Sequence, residues 1–326
     1  MTKMDTSLAG RDALRLLDFT PDEIELILQE ASKQKAAWQA GVRDAHYKGC
    51  AVAVILEKPS LRTRVSFEVG IERMGAQPVI LSDSHSAFSR GESIEDTVHV
   101  LERYVDAIVI RTYEQQKVER IAQTTDIPVV NALTDDFHPC QGLADLLTIK
   151  EHKHTLKDLV VAYVGDGNNM ANTYIQAATL CGLELRIATP KGYEPKARVI
   201  GECEMLASRT GATLVPTNNP VDAVKGADVV ITDTWTSMGS EHEHDRRLKA
   251  FSGFTVDGKM MRWAKEDAIF MHCLPAHRGE EVTDDVMDGK QSVIFDEAEN
   301  RLHAQKALLS LLMADKWSND AAHAGN

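Results

Sequence analysis

The chain is 326 residues long with 43% hydrophobic residues, which suits two domains of ordinary size rather than one small one. Its formal net charge of −13 argues against a nucleic-acid or membrane-surface partner, because polyanions are met by a basic face; any anion site has to be local. Its five cysteines are odd in number and dispersed, a pattern of a reducing cytoplasm rather than of a disulfide framework.

The opening MTKMDTSLAGRD carries early acidic residues and no apolar signal core, and no apolar stretch approaches the length of a membrane span, so no targeting is expected. Next comes PDEIELILQEASKQKAAW, an amphipathic stretch that predicts a helix with Thr20 as N-cap and Pro21 in its first turn. Four β-branched apolar runs come after it, CAVAVIL (50–56), PVIL (78–81), DAIVIR (106–111) and IPVVNA (127–132). Stretches of helical period separate them, such as SIEDTVHVLERY with Ile94, Val98 and Leu101 on one face.

A long helical stretch near 139–152 leads to a second series, LVVAYVG (159–165), LELRIAT (183–189), ATLVPT (212–217), DVVITD (228–233) and AIFMHCL (268–274). Alternation of this kind predicts an α/β protein with two doubly wound domains, each a parallel sheet covered by helices on both faces. The expected domains are 1–150 and 151–296, linked by helices near the two ends. The helix in 297–317 is expected to pack back on the first domain, ahead of a disordered tail, SNDAAHAGN.

Ligands of open parallel sheets bind beyond the carboxyl ends of the strands, and those positions are unusually polar here. After the first run stand Ser60, Leu61, Arg62, Thr63 and Arg64 at a helix start. Helix N-terminal N–H groups, hydroxyls and a guanidinium make a phosphate cradle, and the same residues equally suit a solvated first turn capped by Ser60. After the third run comes Arg111; after the fourth come His138, Pro139, Cys140 and Gln141. An Arg, a His and a Gln at neighbouring strand ends suit a small oxyanion, although each alone is more often structural, and Cys140 reads as a packed thiol.

The second domain opens with VGDGNNMANTY. Gly165 and Gly167 begin a dinucleotide fingerprint, but Met170 stands where the third glycine belongs, so a nicotinamide cofactor is not expected. Asn168 and Asn169 offer amides for a small carboxylate, with N-capping as the plain alternative. Asp233 suits a substrate ammonium, and the turn at Ser237, Met238 and Gly239 suits backbone and hydroxyl contacts. His272, Cys273 and His277 have metal-ligating side chains, but no spacing completes a tetrahedral set, so no metal is expected. Cys273 with His272 is also a weak nucleophile pair, because neighbours on a strand point to opposite faces.

Taken in order, Ser60-Leu61-Arg62-Thr63-Arg64, His138-Pro139-Cys140-Gln141, Asp233 with Ser237-Met238-Gly239, His272-Cys273-Leu274-Pro275 and ENRLHAQKALL resemble the aspartate and ornithine carbamoyltransferase family over nearly the whole chain. The resemblance implies transfer of the carbamoyl group of carbamoyl phosphate to the δ-amine of L-ornithine, giving citrulline and phosphate, with no cofactor and no metal. By it, carbamoyl phosphate is held by Ser60, Leu61, Arg62, Thr63, Arg111, His138, Gln141, Cys273, Leu274 and Arg301. Ornithine is held by Asn169, Asp233, Ser237 and Met238, and the catalytic set is Arg111, His138, Gln141, Cys273 and Arg301. The resemblance also implies a homotrimer or an assembly of trimers.

Two departures from the family pattern stand out. Leu61 replaces a threonine common in the phosphate motif, which implies weaker phosphate binding at most. In the loop DSHSAFSRGES, Ala87 stands where relatives often carry Gln or His, and His85, Ser86 or Arg90 are the candidate substitutes. Other readings are a carbamoyltransferase for N-acetylornithine or putrescine, and a non-catalytic paralogue that only binds carbamoyl phosphate.

Overall fold

The computed structural model describes residues 5, 7–43, 45–82, 91–236 and 243–316. Two compact units divide the chain, Met1–Ala144 with Arg301–Asn326, and Asp145–Asn300. The first contains α1 (Pro21–Gln39), β1 (Ala51–Leu56), α2 (Leu61–Arg73), β2 (Gln77–Ser82), α3 (Ile94–Leu101), β3 (Ala107–Arg111), α4 (Gln115–Thr124) and β4 (Val129–Leu133). The chain passes to the second unit inside α5 (Pro139–Lys153) and returns inside α12 (Ile294–Leu312). Between them run β5 (Val160–Val164), α6 (Asn169–Cys181), β6 (Glu184–Ala188), α7 (Ala197–Thr210), β7 (Thr213–Thr217), α8 (Pro220–Val224) and β8 (Val229–Thr232). Then come α9 (His244–Ala250), α10 (Gly258–Met261), β9 (Ile269–His272) and α11 (Asp284–Met287).

Both sheets are parallel, with strand orders β2-β1-β3-β4 and β7-β6-β5-β8-β9, so the expected α/β class with two doubly wound sheets is the one the chain adopts. Strands β1, β3 and β4 are buried along almost their whole length, and mostly apolar, because helices cover both of their faces. The core of the first unit gathers Ile55, Ile108, Ile110, Val118 and Ile121; that of the second gathers Val164, Val230, Trp235, Phe251 and Phe270. In each sheet the strand order reverses beside the first strand of its series, between β1 and β3 and between β5 and β8. That reversal opens the crevice where ligands of such folds bind.

Local signals explain the element ends. Thr20 caps α1 through a reciprocal pair with Glu23, Pro21 occupying the first position. Helix α12 starts earlier than the expected 297, with Asp296 and Glu297 in its first turn complementing the positive end of the helix dipole. The short helices α9, α10 and α11 escape sequence reading, since four to seven residues carry too little periodicity to detect. The expected disordered tail lies outside the described residues.

Candidate active site

Register decides which polar residues of the first unit meet. Leu56 at the end of β1 pairs with Arg111 at the end of β3, and Arg111 pairs with Leu133 after a shift in the ladder to β4. Residues just beyond these strands therefore gather at one sheet edge. Ser60 caps α2: its oxygen accepts from the Thr63 backbone N–H at 3.2 Å, and its hydroxyl lies 3.0 Å from Thr63 Oγ1. Capping and anion cradle, alternatives at the level of sequence, are compatible here, because the cap orients the same turn that presents Arg62 and the N–H groups.

Thr63 is the hub of a buried polar cluster. Its hydroxyl oxygen accepts from Arg301 Nη2 at 3.1 Å and from Arg111 Nη1 at 3.4 Å. Arg301 Nη1 also donates to His138 Nε2 at 3.2 Å and to Gln141 Oε1. Thr63, Arg111, His138, Gln141 and Arg301 are all buried. Burial first, and then the Arg301, Arg111 and Arg62 guanidinium groups, hold His138 well below the usual histidine range. The imidazole is thus neutral at pH 7, and because Nε2 accepts from Arg301 its proton sits on Nδ1. Three guanidinium groups around a neutral ring give this edge a strongly positive field in a protein that is otherwise acidic.

Leu61 exposes 76% of its surface; only its backbone N–H suits an anion at this turn. Cys140 is a packed thiol, as expected: it lies 3.4 Å from the Asn131 carbonyl and burial pushes it up to about 12. The sequence reading missed the bracing beneath the cradle. Glu57 accepts from the Thr112 hydroxyl and from Lys117, while Lys58 pairs with Asp135 and lies over the Tyr113 ring. Two charged residues directly after an apolar strand were the available signal.

In the second unit the residues after β5 and β8 meet in the same way. Asn168 caps α6, accepting from the Met170 and Ala171 N–H groups at 2.9 and 3.3 Å, and its Nδ2 donates to Asp233 Oδ2 at 2.7 Å. Asn169 is the first helical residue, its carbonyl taken by the Thr173 hydroxyl at 2.7 Å. Gly167 is required by close approach: an added Cβ would stand 2.3–2.5 Å from backbone atoms of residues 193–195. This glycine lets the turn after β5 pack against the 193–195 segment.

Asp233 Oδ1 accepts from the Cys273 thiol at 3.3 Å. Burial, followed by Asp233, holds that thiol well above its usual range, which disfavours the thiolate that a nucleophilic cysteine needs. Donor atoms of Asp233, His272 and Cys273 lie within 4.8 Å of one another, yet Cys273 turns to Asp233 while His272 faces Glu281 and the Leu274 N–H, so the two engage different partners. Strand β9 ends at His272, so strand alternation no longer applies beyond it, and Leu274 turns into the left-handed region at φ 58° before a cis peptide to Pro275. A leucine held at that φ costs of order 1–2 kcal/mol, the kind of strain that clusters at functional sites.

His272 does not suit a metal in this cluster. Its Nδ1 accepts from the Leu274 N–H at 2.9 Å and its Nε2 faces Glu281 Oε1 at 3.1 Å, which engages both ring nitrogens. Nearby, Arg247 donates to Asp166 Oδ2 and to the Trp235 carbonyl, each at 2.7 Å, and to Glu243 at 3.0 Å. Burial pushes Asp166 up to about 6 against the pull of Arg247. Ser237 and Met238, and the 83–90 loop with His85, Ser86, Ala87 and Arg90, lie outside the described residues.

Known proteins resemble the chain along almost its whole length. A family model described as the carbamoyl-P binding domain of aspartate/ornithine carbamoyltransferase matches residues 11–151, and one for the Asp/Orn binding domain matches residues 157–312. An ornithine carbamoyltransferase of Carboxydothermus hydrogenoformans is 52% identical over 310 residues, 95% of this chain and 100% of the relative. The solved ornithine carbamoyltransferase of Pyrococcus furiosus is 49% identical, with a TM-score of 0.92 over 95% of this chain and 99% of that one. The anabolic enzyme of Campylobacter jejuni is 38% identical, with a TM-score of 0.88 over 95% and 99% of the two chains.

Proposed function

The chain belongs to the aspartate/ornithine carbamoyltransferase family, and from that membership we propose that it transfers the carbamoyl group of carbamoyl phosphate to the δ-amine of L-ornithine. The products are citrulline and phosphate, so the reaction serves arginine metabolism. The observation that carries this reading is the buried cluster in which Arg111 and Arg301 meet Thr63, with Arg301 reaching on to His138 and Gln141.

The phosphate end of the donor is assigned to Ser60, Arg62, Thr63, Arg111 and the N–H groups of the turn that includes Leu61. The carbamoyl end is assigned to Arg111, His138, Gln141, Arg301 and the Leu274 carbonyl. Ornithine is assigned to Asn169 and Asp233, with Ser237 and Met238 beyond the described residues, and Cys273 to the neighbourhood of the reacting amine. The δ-amine resembles that of lysine, with an ordinary pKa near 10.4, so it has to lose a proton before it attacks.

In the chemical step the amine nitrogen bonds to the carbamoyl carbon and the carbonyl oxygen becomes anionic. The bond from carbon to the phosphate oxygen then breaks, and the departing phosphate takes the amine proton. Fixed donors aimed at that oxygen stabilise the transition state more than the ground state, and they act most strongly where water is excluded. A protonated thiol at Cys273 fits direct transfer, since no covalent enzyme intermediate is needed, and the reaction as drawn employs no metal or organic cofactor.

Citrulline formation from carbamoyl phosphate, measured in parallel with ornithine, N-acetylornithine, putrescine and aspartate, tests the acceptor. Product is expected with ornithine. Turnover of another acceptor in its absence would refute the assignment, and no turnover of any would favour the binding-only paralogue.

The protein is further proposed to act in the cytoplasm as a homotrimer or an assembly of trimers. Exposed Leu61 and Val65 on one face of α2 support an association surface. Light scattering of the active enzyme should give at least a trimer mass, whereas a fully active monomer would overturn that part.

A further inference from the structure

The loop after Pro275 carries a group of side chains that the transfer reaction does not use. Donor atoms of His277, Glu280 and Glu281 lie within 4.8 Å of one another. His277 Nδ1 stands 3.9 Å from Glu280 Oε2 and 3.9 Å from Glu281 Oε2. Glu281 is fully buried, and its Oε1 accepts from the His277 N–H at 2.6 Å and faces His272 Nε2 at 3.1 Å. Its other oxygen, Oε2, is buried without a hydrogen-bond partner.

A buried carboxylate oxygen left in that state costs desolvation free energy that a donor or a cation placed beside it recovers. Two hydrogen bonds to Oε1 fix the carboxylate plane, so Oε2 is held pointing at His277 and Glu280. Across Glu280, His244 at the start of α9 places Nε2 3.5 Å from Oε1, an arrangement of the kind that orients a ligating carboxylate from its outer side.

We propose that His277 Nδ1, Glu280 Oε2 and Glu281 Oε2 form a binding site for a divalent transition-metal ion of the zinc class, with His244 as the outer partner of Glu280. The distances fit. Nitrogen and oxygen donors bound to zinc at about 2.0–2.2 Å stand roughly 3.3–3.6 Å apart around a tetrahedral ion, so the 3.9 Å separations close by a few tenths of an ångström. Both His277 and Glu280 are accessible enough to make that adjustment, at 46% and 27% side-chain exposure. One imidazole and two carboxylates leave the fourth position to solvent, and the imidazole favours zinc over magnesium or calcium.

The site differs from the Asp233, His272 and Cys273 cluster in containing no sulfur. It also has a structural consequence. Glu280 and His244 connect the loop after β9 to the first turn of α9, directly after residues 237–242, so a bound ion ties those two segments together.

The experiment uses the full-length protein with Co2+ as a spectroscopic probe and Zn2+ as competitor. Cobalt is expected to give ligand-field bands without a thiolate charge-transfer band, in the wild type and in Cys273→Ser alike. His277→Ala should weaken Zn2+ binding by more than the roughly 10- to 100-fold that loss of an outer partner costs, and His244→Ala should fall within that range. Zinc should raise the melting temperature of the wild type and leave that of His277→Ala unchanged. Glu280→Gln, which keeps the side-chain shape, should reproduce the loss independently. A thiolate band that disappears in Cys273→Ser, or wild-type zinc affinity in both His277→Ala and Glu280→Gln, would overturn the proposal.

Discussion

Replacing Arg301 by alanine is expected to lower kcat/KM by about 10²- to 10³-fold, the loss typical of removing one fixed donor to a developing oxyanion. Arg301 reaches Thr63, His138 and Gln141 from α12, so its truncation removes a buried charge and a donor to three buried acceptors. Thr63 keeps its bond from Arg111, but a buried acceptor that loses a donor costs up to about 1–3 kcal/mol, and part of the effect will therefore appear as lost stability.

A role in the reaction is separated from a role in folding by Arg301→Lys, which retains the charge without the planar fork. If the fork orients the carbamoyl group, lysine recovers the melting temperature but not kcat. Steady-state kinetics with both substrates varied, alongside thermal unfolding of each variant, checks this. Wild-type kcat in a folded Arg301→Ala protein would remove Arg301 from the mechanism.

The second large effect is on the acceptor. Asp233→Ala is expected to raise the KM for ornithine by about 10- to 100-fold, in keeping with loss of a charge-assisted hydrogen bond of about 1.5–3 kcal/mol, while leaving the KM for carbamoyl phosphate near its original value. An ionised carboxylate has about four lone-pair sites. Asn168 and Cys273 occupy one on each oxygen, which leaves capacity for an ammonium.

Asp233→Asn isolates the charge, since the amide keeps the shape and one acceptor. A rise in ornithine KM in both variants assigns the effect to charge; a rise in alanine alone assigns it to the lost framework around Asn168 and Cys273. Equal changes in the KM of the two substrates would argue against the divided roles of the two units.

Some of the site is legible from sequence. The Ser60 to Arg64 turn, Arg111, and the His138 to Gln141 segment each come after an apolar run, and a parallel sheet presents its carboxyl ends to ligands. Arg301 is legible only through the resemblance. It sits in the middle of an amphipathic helix, and a charged residue there looks like any other until the helix is placed against Thr63, 238 residues earlier in the chain. The bracing by Glu57 and Lys58 escapes sequence reading because its partners, Thr112, Lys117 and Asp135, belong to other elements.

The partners of His272 and Cys273 escape sequence reading for a related reason. Strand periodicity is carried one residue past the point where β9 ends, and the turn at Leu274 re-aims the residues beyond it. The same turn leads into the loop that gathers His277, Glu280 and Glu281, where spacing alone predicts no metal. Glutamates in an acidic chain give no sign of which one is buried.

By itself the sequence determined the strands, the long helices, the Thr20 cap and the two-sheet class, because apolar runs, helical period and capping residues act over a few neighbouring positions. Only the tertiary structure decided that Thr63, Arg111, His138, Gln141 and Arg301 form one cluster, that His138 is neutral, that Cys273 is a thiol held by Asp233, and that one oxygen of Glu281 lacks a partner. Those properties depend on strand register, on the crossovers that return distant segments to one sheet edge, and on burial, which sets the cost of each charge.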